Sequence, residues 1–169
     1  RLDPEIDFAD IKLLVFESFK EKISEHFIVY YDKRVPYEST QIINSLEGVL
    51  PLYEKWFGIN YNERIPVVVS SLTSNASFAN FVTNAIELQT LGNSSRDLPW
   101  HELVHIMNYK YYHNIFGPAG AVLHLPWIPA WFLEGLAEAL TSSISSTYQA
   151  SIERYQALLY HQEILEEIK

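Results

Sequence analysis

The most informative absence from this chain is cysteine, of which its 169 residues contain none. No disulfide framework can form, and a closed structural zinc site built from thiolates is excluded. Basic residues are also scarce, since 12 lysines and arginines stand against 21 acidic residues and the formal net charge is −9. An acidic chain is a poor partner for nucleic acid or an anionic membrane surface, because both recruit basic patches.

Long apolar runs are missing as well, and none reaches the length of about 18 residues that indicates a transmembrane helix. We therefore predict no membrane insertion and a soluble chain, most simply one domain over residues 1–169. Its first residues, Arg1 to Pro4, have neither an initiator methionine nor a signal-peptide layout, so we expect a processed piece or a fragment of a larger protein. The compartment stays open, with an extracytoplasmic or secreted location favoured.

What the chain does contain is the motif His101-Glu102-Leu103-Val104-His105. Residues four apart on an α-helix lie one above the other, about 6 Å apart along the axis, so both imidazoles can bind one zinc ion at roughly 2.0 to 2.1 Å. Glu102 leans to the side of that face, where it can reach a water molecule at the metal without being a ligand. The motif predicts a zinc site with Glu102 as general base.

A catalytic zinc normally has three protein ligands and one open position, so a third ligand is needed. Glu134 is the candidate, because it lies one helical turn from Glu138 in an otherwise apolar stretch. Burial of two like charges is costly unless a cation or hydrogen-bond donors meet them. We predict one zinc per chain, bound by His101, His105 and Glu134. Glu138 would accept a hydrogen bond from the far ring nitrogen of His101 and fix its tautomer.

These segments resemble the gluzincins, the thermolysin-like and aminopeptidase-like zinc metallopeptidases of the peptidase MA type, in which H-E-x-x-H precedes a helix carrying a glutamate ligand. The resemblance is strong over residues 97–140 and architectural over residues 26–96. It implies a zincin-like α+β fold, peptide-bond hydrolysis and the roles given above. The gap from His105 to Glu134 is longer than in the best-known families, and Leu133 replaces a frequent asparagine. No G-x-M-E-N segment is found, so we expect an endopeptidase.

The amino-terminal half predicts a small mixed sheet. β-Branched and aromatic residues indicate strands at residues 27–31 and 65–70. Between them, apolar residues at helical spacing predict a helix over residues 37–57, with Ser39 as its cap and a possible kink at a proline. Residues 5–23 have a helical apolar stripe, although a strand is also compatible with their composition.

Residues 85–91 alternate apolar and polar side chains, which predicts a half-exposed strand, and we place it at an edge of the sheet. An exposed edge offers unpaired N–H and C=O groups to an extended peptide. The resemblance implies that the strand before the zinc helix binds substrate, and an ordinary edge blunted by Glu87 is the alternative. The candidate substrate-binding residues are Ala85, Ile86, Glu87, Leu88 and Gln89.

The two ligand-bearing helices are expected within residues 97–144. The first begins near Asp97, a good N-cap, and ends by Gly117; a loop follows over residues 115–128. Pro129 starts the glutamate helix. An amphipathic helix is predicted for residues 148–168.

Two further segments complete the prediction. Residues 71–84, rich in polar and small side chains, predict a polar loop or a short helix around Phe78. Trp127 and Trp131 are expected in the core, which is the more frequent place for tryptophan than a substrate platform.

We therefore expect a zinc-dependent peptidase that cleaves internal bonds of a peptide or protein substrate. The developing oxyanion needs a donor beside the metal, and the candidates are Tyr148, Tyr155, Tyr111 and Tyr112. Two alternatives stay open: a weakly active or inactive peptidase-like binding domain of a larger protein, and a zinc hydrolase of a non-peptide amide or ester. The intact Glu102 argues against the first of these.

Overall fold

The structure is a computed structural model, and it describes residues 19–33, 36–70, 77–80, 83–89, 97–124 and 127–145. Contacts between residues divide the chain into two compact units, residues 1–94 and residues 95–169. Within these described ranges, a five-stranded sheet and one helix belong to the first unit, and two helices belong to the second. The predicted mixed α+β class is thus confirmed.

The sheet of the first unit combines parallel and antiparallel pairs. Strands β1 (Phe19–Ile23) and β2 (Phe27–Asp32) form an antiparallel hairpin, and β2 pairs in parallel with β3 (Ile65–Ser70). Strand β5 (Ala85–Gln89) lies parallel to β3 and antiparallel to the short β4 (Phe78–Asn80). The strand order is therefore β1-β2-β3-β5-β4.

Helix α1 (Pro36–Phe57) connects β2 to β3, because parallel neighbours need a crossover. The predicted helix is confirmed, but it begins at a proline and Ser39 lies inside its first turn, so the predicted cap is wrong. Proline suits a first turn because its missing N–H would have no intrahelical partner there. The helix continues through Pro51 and ends before Gly58, whose φ of 64° is the left-handed conformation of a helix C-terminus.

The core of the first unit is built by alternate residues of the central strands and by apolar residues of α1. A strand alternates its faces, so every second side chain of β2 and β3 is buried. Burying each such side chain contributes about 1.5 to 3 kcal/mol. The fully buried apolar and aromatic residues of β2, β3 and α1 are Phe27, Val29, Ile65, Val67, Val69, Leu46, Leu50 and Tyr53.

The prediction that residues 85–91 form an edge strand is wrong, because β4 pairs with the outer side of β5. The short helix considered around Phe78 is wrong for the same reason, since Phe78–Asn80 is that outer strand. Alternating hydrophobicity reports which face of a strand is buried, and it does not report whether the main chain has a partner on both sides. The main chain of β5 is thus already paired over Ala85–Glu87, where peptide binding had been expected.

The described part of the second unit contains α2 (Leu98–His124) and α3 (Ala130–Ile144). Helix α2 is broken at Gly117, which has φ 71° and ψ 175°, so the predicted end of the zinc helix coincides with a real interruption. Helical structure resumes after it, and the predicted loop over residues 115–128 is wrong up to His124. Alanine and leucine in that segment are good helix formers. Pro129 precedes α3 as predicted.

The prediction that Trp127 and Trp131 belong to the core is wrong, since their exposed fractions are 84% and 75%. Helix α3 contributes few residues to a core, because only Ala137 and Thr141 of Ala130–Ile144 are buried. The tryptophans lie at the amino-terminal end of this helix, on a largely solvent-facing surface.

Three further observations concern the extent of the elements. Residues 5–23 were predicted to form either a helix or a strand. Their last part, Phe19–Ile23, forms a strand, and residues 5–18 lie outside the described part of the chain. The helix predicted for residues 148–168 also lies outside the described residues. Within the described ranges, no helix combines the length and the apolar character needed to cross a bilayer.

Candidate metal centre

Helix α2 presents a buried polar face. Asp97 precedes the helix, and its carbonyl oxygen accepts hydrogen bonds from the backbone N–H groups of Trp100 and His101, at 3.0 and 3.1 Å. His101 and His105 follow at steps of four, and all three polar side chains are buried. Such a face is stable only where polar partners meet it.

Helix α3 provides the partners from a matching face. Glu134, Glu138, Thr141 and Ser145 follow one another at helical steps of four, three and four residues. Ser145, at the carboxyl end of α3, donates a hydrogen bond to the Asp97 carboxylate at the start of α2, with an O···O distance of 2.5 Å. This buried bond connects the start of one helix to the end of the other.

Three side chains converge between the two helices. Nε2 of His101 lies 3.2 Å from Nε2 of His105. The Glu134 carboxylate approaches both rings, with Oε2 at 3.2 Å from His101 Nε2 and Oε1 at 3.5 Å from His105 Nε2. The structure therefore brings together the two histidines and the distant glutamate that were predicted as ligands.

These distances suit a tetrahedral ion. Bonds of about 2.0 to 2.2 Å in that geometry separate neighbouring ligand atoms by about 3.3 to 3.6 Å. The separations of 3.2 Å from His101 Nε2 to His105 Nε2 and to Glu134 Oε2 are close to this range, and the second carboxylate oxygen, Oε1, lies 3.5 Å from His105 Nε2. His101, His105 and Glu134 could thus hold a metal ion with little rearrangement. Two imidazoles and one carboxylate form a donor set that zinc accepts when a fourth position stays open.

The cluster is buried on one side and open on the other. Both histidine side chains are nearly inaccessible, whereas that of Glu134 is 60% exposed. Burial lowers the pKa of His105 because it disfavours the charged ring, the Glu134 carboxylate opposes this shift, and His101 adds to it. His105 is therefore kept neutral, as a metal ligand must be.

Glu138 lies where the prediction placed it, behind the His101 ring. Its Oε1 atom is 3.8 Å from Nδ1 of His101. That separation allows electrostatic attraction but is too long for a hydrogen bond, so the predicted hydrogen bond stays a prediction. A carboxylate there favours a proton on Nδ1 and leaves the Nε2 lone pair turned toward Glu134 and His105.

Glu102 is buried on α2 next to His101. One helical step turns its side chain by about 100° from that of His101, so it lies outside the converging set. Its predicted role as a base stays a prediction.

Tyr111 and Tyr112 lie on α2, further along the helix than the cluster. Tyr111 and Tyr112 follow His105 by six and seven residues, about 9 Å further along the helix axis. Their rings pack against each other, and Tyr112 stacks on Phe116. Tyr148 and Tyr155 lie outside the described residues. Ala85–Gln89 belongs to the inner strand β5 of the first unit.

Sequence reasoning missed the bond between Asp97 and Ser145, although it identified Asp97 as a cap. The available signal was that Ser145 continues the helical spacing of the two glutamates. Thr141 continues it as well and is fully buried, and its hydroxyl has no hydrogen-bond partner among the described residues.

Comparisons of the chain with protein-family models, with curated proteins and with solved structures gave no match. An interpretation of the site therefore depends on the residues of this chain and on their geometry.

Proposed function

We propose that the chain is a zinc-dependent peptidase that hydrolyses internal peptide bonds. The observation that carries the proposal is the convergence of His101 Nε2, His105 Nε2 and the Glu134 carboxylate at separations of 3.2 to 3.5 Å. The glutamate that follows His101 adds the one group that a metal-binding site requires for hydrolysis and not for structure. We extend the proposal to a zincin-like fold, since a mixed sheet followed by two ligand-bearing helices has the order of elements that the gluzincin resemblance implies.

Each residue has a defined task in this proposal. Zinc, when bound, supplies a Lewis acid that polarises a peptide carbonyl and acidifies water. Glu102 takes the proton from the attacking water and then delivers it to the leaving nitrogen. Glu138 holds His101 in the tautomer whose Nε2 lone pair faces the cluster. The exposed side of Glu134 leaves an approach for water and substrate.

Two matched substitutions test the proposal. Glu102→Gln keeps the size of the side chain but cannot accept a proton, so zinc should stay bound while the cleavage rate falls about 10²- to 10⁴-fold. Glu134→Gln replaces a charged ligand by a weak neutral one, so zinc content itself should fall. Zinc per chain and cleavage of a panel of unstructured peptides are measured for both variants and the wild type, with a chelator control.

The outcomes separate the candidate functions. Zinc-loaded wild type that cleaves no peptide, or Glu102→Gln that cleaves as fast as wild type, would refute the peptidase proposal. A fully loaded but inactive wild type would favour a binding domain. Turnover of small esters or amides without peptide cleavage would favour a non-peptide hydrolase.

A further inference from the structure

Between His105 and Glu134 the chain contains a long stretch without formal charge. Residues 111–133 include no Asp, Glu, Lys or Arg, although such residues make up 20% of the chain. The described part of this stretch nevertheless exposes several large apolar side chains. They are Tyr111, Ile115, Phe116, Trp127, Trp131 and Phe132.

Of these side chains, Trp131 can be placed beside the cluster, because it lies on the same helix as Glu134. It precedes Glu134 by three residues and Glu138 by seven, so the three side chains lie on one face of α3. Cβ atoms three residues apart on a helix are separated by about 5 to 6 Å. That face is turned to α2, because both glutamates lie within 3.8 Å of His101 ring nitrogens.

The exposure of Trp131 distinguishes it from a packing residue. Its exposed fraction is 75%, and its described aromatic neighbour is Phe132, whose ring meets it edge-on at a centroid distance of 6.1 Å. An indole face beside the cluster of His101, His105 and Glu134 is thus available to a ligand. Covering it with an apolar group is favourable in proportion to the area removed from water. A negatively charged group placed there would lose hydration and would face the carboxylates of Glu134 and Glu138 on the same side of α3.

We propose that Trp131 forms a recognition subsite for a large apolar side chain, aromatic or aliphatic, of the substrate next to the bond that is cleaved. The inference rests on the proposed peptidase function for the identity of the ligand as a peptide. It makes the chain selective for apolar peptide segments, in contrast to the weak preference for basic substrates that the net charge of −9 alone would produce.

The test measures binding, so it does not depend on turnover. The probes are amino-acid hydroxamates that place Phe, Leu, Gly or Glu next to the same zinc-binding group, titrated into the zinc-loaded full chain. Burial of a Phe or Leu side chain on Trp131 should make those two compounds bind about 10- to 100-fold more tightly than the Gly compound. The Glu compound should bind no better than the Gly compound.

Three variants test whether the preference for an apolar side chain depends on Trp131. Trp131→Ala should abolish most of the preference for Phe over Gly, and Trp131→Phe should retain most of it. Trp127→Ala is the matched control, since it removes an even more exposed tryptophan that precedes α3, and it should keep the wild-type preference. Both tryptophans are exposed, so their removal leaves no core cavity. Equal zinc content and circular dichroism spectra verify that the variants are folded.

The results distinguish this inference from the function on which it rests. A preference that is absent in wild type, that survives Trp131→Ala, or that Trp127→Ala reduces equally would overturn the subsite. The same holds if no hydroxamate binds. Peptide cleavage is followed in parallel: cleavage without a preference dependent on Trp131 overturns the subsite alone. A preference dependent on Trp131 without any peptide cleavage supports Trp131 as a binding site for an apolar group and refutes the peptidase proposal.

Discussion

Among single residues, the two sides of the cluster of His101, His105 and Glu134 differ in their access to water. His101 and His105 are buried by α2, while Glu134 approaches them from an exposed position on α3. The histidines are therefore held in place, and the glutamate has the freedom to adjust its carboxylate to an ion. Burial also has an electrostatic effect, because it keeps His105 neutral below the pH at which an ordinary histidine is protonated.

This protonation behaviour predicts how stability and zinc affinity depend on pH. The pKa of His105 in the folded, metal-free protein is lowered below the usual 6.5, so the unfolded chain binds more protons just below that pH. The free energy of unfolding should fall as pH drops through this window. The part of zinc affinity that depends on His105 should also begin to fall only below pH 6.5.

The measurements are an NMR titration of the histidine ring protons without metal and zinc competition assays at several pH values. Repeating the titration on His105→Gln assigns the signal. Titration of His105 at or above its ordinary pKa would contradict the prediction.

Between elements, polar side chains of α2 and α3 meet at several points along the two helices. Asp97 meets Ser145 at one end, and the histidines meet the glutamates one to two turns further along. The spacing of the two helices sets the distances between ligand atoms, so a contact at the helix ends can act on the metal site without touching it.

Ser145→Ala tests this dependence. Removing the hydroxyl deprives the buried Asp97 carboxylate of a donor, which should cost about 1 to 3 kcal/mol of unfolding free energy. Zinc affinity should fall as well, because the helix ends lose their connection. Ser143→Ala is the matched control, since the Ser143 hydroxyl is exposed and bonds only the nearby carbonyl of Leu140. Chemical denaturation and zinc competition are the measurements, and similar results for both variants would argue against the coupling.

The secondary-structure elements differ in how much of their structure the sequence predicts. The strand at 65–70, the helix at 37–57 and the start of the zinc helix were predictable, because each depends on local periodicity or a local cap. The clustering of His101, His105 and Glu134 was predictable from the H-E-x-x-H spacing together with two glutamates one helical turn apart in an apolar stretch. The inner position of β5 and the exposure of Trp131 were not, because both depend on which distant segment lies alongside.

On the scale of the whole molecule, the sheet and the candidate metal site belong to different compact units. Of the buried apolar residues that the structure describes, most belong to the first unit, and the cluster of His101, His105 and Glu134 belongs to the second. In each unit, hydrogen bonds of a polar side chain connect two elements. In the first, Glu47 of α1 accepts hydrogen bonds from the backbone N–H and the ring of His26 in the β1–β2 turn, at 2.9 and 2.8 Å.

Glu47 therefore offers a test of whether stability and metal binding are separable. Burial tends to raise its pKa, but hydrogen bonds from Ser24 and His26 and the proximity of the His26 ring outweigh this, so the pKa lies below the usual 4.5. Its stabilising effect is complete above pH 4.5 and is lost as pH falls through the lowered pKa, because the unfolded chain binds more protons in that window.

Glu47→Gln should accordingly lower the unfolding free energy at neutral pH and reduce the loss of stability on acidification, while zinc affinity at neutral pH stays at the wild-type value. Glu25→Gln is the matched control, because Glu25 lies 4.0 Å from the same histidine but its side chain is 83% exposed, and exposed pairs contribute little. Urea unfolding from pH 7 to pH 3 and zinc competition provide the two readouts. A fall in zinc affinity in Glu47→Gln, under conditions where the protein is fully folded, would show that the sheet unit supports the metal centre directly and that the two units do not act separately.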